Sequence, residues 1–152
     1  MSSSHHVKLG YLGLLPFLFL TGGYFLTEAD WLLQSFIIYS ISILSFVAGS
    51  LWQPATKPSA KGEVKAISQS HTQAWLVVLV TLPLPLSVFV AESVVLICLA
   101  LSFVWLLALQ KRLASWLEMT PDYQQMRGKI TAVVFVCHLF MLAQLNHTPV
   151  VV

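Results

Sequence analysis

An imidazole surrounded by hydrocarbon is costly to keep, and this sequence keeps one. His138 is the only ionisable side chain deep inside an apolar run, roughly halfway along the last of them. Such a group is a functional candidate by default. It could relay protons, hold a ligand, or bond one ring nitrogen to a serine or backbone carbonyl of a neighbouring helix. A membrane b-type haem would need a second histidine at similar depth. His5, His6, His71 and His147 all lie at other depths, in the tail, a loop or the far end. No metal, haem or other cofactor is expected.

Arg127 and Lys129 stand where that last run begins. Their stems can follow the apolar phase while their heads reach lipid phosphates. With Tyr123 and Trp52 they could instead line one cytoplasmic-side pocket, which requires the second and last helices to be neighbours. A third group is patterned: Tyr39, Ser42, Ser45, Phe46, Gly49, Trp52 and Gln53 recur at helical spacing and share one broad face. Ser42, Ser45 and Gly49 keep that face thin, as in a helix-packing seam. The same face could wall a polar cleft through Tyr39, Trp52 and Gln53. The sequence has no phosphate-cradling glycine loop, nucleophile motif or paired intramembrane carboxylates. Glu92, Glu118 and Asp122 belong to loops or helix ends, and no enzyme is expected. Cys98 and Cys137, the only cysteines, fall inside apolar runs, which excludes a disulfide framework or a four-thiolate zinc site and leaves them as small apolar fillers.

The elements that must position these residues follow from composition. Of 152 residues, 57% are hydrophobic and only 9% are charged, whereas a soluble domain carries about 25% charged residues. The charges cluster between long apolar runs, the pattern of an all-α, polytopic membrane protein forming one domain over residues 1–152. A spanning helix needs about 20 apolar residues, and five runs qualify: approximately 9–26, 31–52, 74–91, 93–110 and 129–145. Thr27 and Asp30 form a capping box for the second, and Thr120 with Pro121 gives the last helix an early start. Pro83 and Pro85 break the third run and free carbonyls there, as discontinuous transporter helices do.

Basic residues stay preferentially on the cytoplasmic side. With five spans all eight Lys and Arg share one side, while Glu28, Asp30 and Glu92 take the other. This predicts a cytoplasmic N-terminus and a C-terminus on the opposite side. The segment 53–73, rich in Pro, Ser, Lys and Ala, reads as a cytoplasmic loop. A net charge of +2 gives no reason to expect nucleic acid.

Three stretches, in order, carry a family resemblance: Tyr11-Leu12-Gly13-Leu14-Leu15-Pro16-Phe17; Tyr39 with Ile43-Leu44-Ser45-Phe46, Gly49 and Trp52; and Pro121 with Tyr123, Arg127 and Thr131. Together they resemble the small multi-span family known as domain of unknown function 3429, which includes the animal mitochondrial transmembrane protein 69. Asp122 stands where that family usually has an aromatic, and Ser50 where a second glycine is common. The resemblance implies a five-helix body in a bacterial inner membrane and no established activity. The expected function is a non-enzymatic accessory or assembly partner of a membrane complex, surrounded by lipid and joined to a membrane-protein partner or a second copy of itself. The alternative is a small oligomeric carrier with a polar path near His138 and Tyr39.

Overall fold

The computed structural model describes residues 10–50, 89–112, 116 and 119–147. Among them there is no strand, and the helices are α1 (Leu15–Thr27), α2 (Asp30–Ser50), α3 (Glu92–Lys111) and α4 (Pro121–His147). Four segments of the described chain are long and apolar enough to cross a membrane: Gly10–Thr27, Asp30–Gly49, Glu92–Lys111 and Pro121–Asn146. They answer to four of the five expected spans. The expected span 74–91 lies outside the described residues except for its last three, and the loop 53–73 lies wholly outside them.

Local chemistry sets the ends. Pro16 stands in the first turn of α1, so the backbone tightens before it, with Leu14 N–H donating to the Tyr11 carbonyl at 3.0 Å. At its other end Glu28 adopts the left-handed conformation (φ 50°, ψ 27°), and its N–H donates to the Tyr24 carbonyl at 2.8 Å. The chain reverses over Glu28 and Ala29. The expected capping box is not formed there. Thr27 belongs to α1 and its hydroxyl donates back to the Gly23 carbonyl at 2.9 Å, while Ala29, one residue before α2, accepts from Leu32 N–H. The bond back to the preceding turn is available to Thr27 only because α1 runs on to include it. The α4 start matches its sequence signal: the Thr120 carbonyl accepts from Gln124 N–H at 3.1 Å, with Pro121 as the first helical residue. Glu92 in the first turn of α3 and Lys111 in its last complement the helix dipole.

The helices pack in the cyclic order α1, α2, α3, α4, and α4 returns to α1. Gly10, at the start of the α1 segment, lies against Met126 near the start of α4, and the rings of Phe25 and Phe140 near the two C-termini are 5.6 Å apart. Helices α1 and α4 are therefore parallel. Because α2 turns back on α1, and α3 is joined to α4 by a short connection, α2 and α3 are parallel too. This gathers Glu28, Asp30 and Glu92 at one end, where all three act electrostatically on Tyr24. Lys111, Arg112, Arg127 and Lys129 gather at the other.

The inward faces follow helical spacing: Leu32, Leu33, Phe36, Ser40 and Leu44 on α2; Val95, Leu99, Phe103, Leu106 and Gln110 on α3. The outer face is equally apolar, with Phe19 72% and Leu26 80% exposed. In water that surface would be a liability; in lipid it is the expected boundary. Glu28→Gly should raise stability by up to about 1 kcal/mol by relieving the left-handed strain. Thermal unfolding in detergent checks this, and an unchanged or lower Tm would mean that the α1–α2 link does not hold this conformation.

Candidate functional site

At the centre of the bundle each helix contributes one ring. Phe17 of α1, Phe36 of α2 and Phe103 of α3 surround His138 of α4, with centroids 6.2, 4.8 and 5.7 Å from the imidazole. Phe17 also meets Phe36 at 5.5 Å and Phe103 at 6.2 Å, both edge to face. His138 is 1% exposed. Its Nδ1 is 2.8 Å from the Val134 carbonyl one turn earlier, and a carbonyl only accepts, so Nδ1 carries the proton. Nε2 is left as a bare acceptor with no hydrogen-bond partner among the described residues. The arrangement can accept a proton or a hydrogen bond, but phenyl rings surround the acceptor.

One turn from Phe17, Thr21 Oγ1 is, among the described residues, the other buried polar atom without a partner; it lies beside the Cys137 thiol but makes no well-formed hydrogen bond. Three further hydroxyls in α2 are occupied. The Tyr39 hydroxyl donates to the Gly13 carbonyl at 2.9 Å, and its ring packs on Phe17 at 4.9 Å. Pro16 disturbs the hydrogen-bond ladder of the turn before it, and Tyr39 supplies a partner there from a neighbouring helix. Ser40 and Ser42 donate back to the carbonyls of Phe36 and Ile38.

A second polar cluster closes the α3–α4 hairpin. Arg127 Nε donates to Gln110 Oε1 at 3.2 Å, and the Gln110 amide nitrogen is 4.0 Å from the Met119 sulfur. Gln124 donates to the carbonyls of Trp116 at 2.6 Å and Met119 at 3.3 Å.

The structure brings Tyr39 and His138 to opposite sides of the same Phe17 ring, and Tyr123 and Arg127 to one half-buried face of α4. It does not bring Ser45 and Gly49 to either group. Ser42, Ser45, Phe46 and Gly49 are exposed on the outside of α2, and a side chain added at Gly49 would meet nothing within 4 Å. Trp52 and Gln53 lie outside the described residues. Sequence reasoning missed Gln110, Phe36 and Phe103, and named Phe17 only within the first stretch of the family resemblance. Gln110 was findable: it follows Phe103 and Leu106 at helical spacing, which places it on the inward face.

Two substitutions test the node. Tyr39→Phe should cost about 1 kcal/mol, the net value of a neutral hydrogen bond, and an unchanged Tm would mean the Gly13 contact is not made. His138→Leu, close in volume, should leave Tm unchanged or raise it, because it removes an unpaired nitrogen from among phenyl rings. A drop of several degrees would show that Nε2 has a partner in the folded protein.

No curated protein and no solved structure matches the chain. The family model described as a protein of unknown function (DUF3429) matches residues 3–143. That match takes in α1, α2 and α3, α4 as far as residue 143, the aromatic node and the Arg127 cluster, and the chain belongs to this family.

Proposed function

We propose that the chain crosses a bacterial cytoplasmic membrane five times, with its N-terminus in the cytoplasm, and serves there as a non-enzymatic accessory or assembly partner of a membrane complex. The fifth crossing is supported by the parallel course of α2 and α3. Ser50 ends α2 at the basic end of the bundle, whereas Phe89 precedes α3 at the acidic end. A chain joining those points must pass from one side to the other, and residues 74–91 supply an apolar run for it. The orientation rests on the separation of charge: Lys111, Arg112 and Lys129 at one end, Glu28, Asp30 and Glu92 at the other. Single cysteines replacing Lys61 and Glu92 in an otherwise cysteine-free chain should label from opposite sides of intact cells. Labelling from the same side would remove the fifth span.

The accessory role rests on one observation, the face of α2 that the described residues leave uncovered. Ser42, Ser45 and Gly49 thin that face beside Phe46, which is 76% exposed, and no described residue packs on Gly49. Small residues beside a projecting ring suit a helix from another chain, a different protein or a second copy. Two polar side chains, Tyr39 and Arg127, are engaged between helices. Gly49→Leu should leave Tm within about 0.5 kcal/mol of the wild type, since the site is open. It should also remove a partner otherwise retained when the protein is extracted with native lipid and weighed by mass spectrometry. Retention of every partner by a folded Gly49→Leu variant would sink the accessory reading.

A second reading, a small carrier, draws on the bare Nε2 of His138. Against it, Tyr39 is committed to Gly13 and three phenyl rings line the imidazole, so the described residues lay out no polar path to either end. Proton-coupled flux in liposomes that disappears in His138→Ala would favour the carrier over the accessory.

A further inference from the structure

Among the described residues, the basic end of the α3–α4 hairpin holds a half-buried cation without an anion. Arg127 is half-buried, and its one hydrogen bond among the described residues is the 3.2 Å contact from Nε to Gln110. Gln110 is itself only 3% exposed, fixed at the inner face of α3 and close to Met119. The guanidinium is thereby held by two helices and the turn between them, unlike a snorkelling arginine that is free to sample the interface.

No carboxylate pairs with Arg127 among the described residues. Asp122 is exposed five residues earlier, and the other described charges at this end, Lys111, Arg112 and Lys129, are exposed and positive. A partly desolvated guanidinium without a counter-charge is unfavourable unless an anion arrives from outside. With Nε committed to Gln110, the two Nη nitrogens remain to take an oxyanion, the geometry that arginine offers to phosphate. Tyr123 lies one helical turn earlier on the same half-buried face of α4. Its hydroxyl is a second donor for the same oxyanion.

Depth identifies the source of the phosphate. The 27 residues of α4 span about 40 Å, at about 1.5 Å per residue. The hydrocarbon core is about 30 Å thick, so roughly the first six or seven residues of α4 lie in the headgroup layer when its far end meets the opposite boundary. Arg127 is the residue at that boundary. We propose that Arg127, positioned by Gln110 and assisted by Tyr123, binds the phosphate of an anionic phospholipid in the leaflet at the basic end of the bundle. This rests on the membrane reading but not on the choice between accessory and carrier.

The test reconstitutes the full chain into vesicles of phosphatidylcholine with a minor share of phosphatidylglycerol and weighs the lipids retained by native mass spectrometry. Wild type should keep one phosphatidylglycerol in preference to phosphatidylcholine. Arg127→Gln should weaken that preference about tenfold, and Arg127→Lys severalfold, since it keeps the charge but loses the fork. Arg112→Gln, which removes an exposed charge at the same end, should change it little. If Arg127→Gln does not fold, judged by its Tm in detergent, the comparison of Arg127→Lys with Arg112→Gln carries the test. Equal preference in wild type and the Arg127 variants, or an equal loss in Arg112→Gln, overturns the proposal in favour of general surface attraction. Displacement of phosphatidylglycerol by millimolar inorganic phosphate also overturns it and makes the site one for soluble phosphate. A chain that fails to insert across the vesicle membrane would instead contradict the membrane reading itself.

Discussion

In a bilayer the contrast between an apolar inside and a polar outside disappears, so burial of greasy surface no longer tells one helix where to stand against another. This chain is built on that constraint. Its outer surface is as apolar as its core, and shape and a few polar bonds must decide how the helices meet. The meeting of Phe17, Phe36, Phe103 and His138 does much of this, because it joins all four described helices at one point, including both diagonal pairs that the cyclic packing leaves apart. Edge-to-face rings have a preferred geometry that aliphatic side chains lack. The imidazole adds a fixed tautomer through its bond to Val134, so the ring is oriented by its own helix before the others pack on it.

Two polar links extend that order toward one end. Tyr39 ties α2 to the turn that Pro16 imposes on α1, and Gln110 ties α3 to α4 through Arg127. Each answers a problem created by another residue: a backbone ladder interrupted by proline in the first, and a cation entering an apolar phase in the second. The residues that carry the family resemblance, Gly13, Pro16, Phe17, Tyr39, Tyr123 and Arg127, are drawn into these links or into the aromatic node.

Much of this was legible in the sequence. The apolar runs gave four helices close to where they stand, because a membrane leaves a chain no other way to satisfy its backbone there. Thr120 and Pro121 marked the start of α4, and His138 stood out because hydrocarbon makes any ionisable group conspicuous. The rest was hidden for physical reasons. Periodicity assigned Ser42, Ser45 and Gly49 to one face of α2, but when lipid and protein are equally apolar it cannot say whether that face looks in or out; it looks out. Thr27 suited either the end of α1 or the cap of α2, and only the length of α1 decides between them. Phe103 is one of many large apolar residues on α3, and nothing in one sequence shows which phenylalanine will face an imidazole on the next helix.

The central claim is that the helices close into a ring around His138, with α1 and α4 parallel. Disulfide cross-linking in native membranes tests it most directly, using a chain freed of Cys98 and Cys137 and carrying cysteines in place of Phe25 and Phe140. The account expects rapid intramolecular cross-linking of that pair and none when the cysteine at position 25 is paired with one replacing Met126, near the other end of α4. Cross-linking of 25 with 126 in preference to 140 would make α1 and α4 antiparallel and would contradict the ring, the gathering of charge at its two ends, and the topology drawn from both.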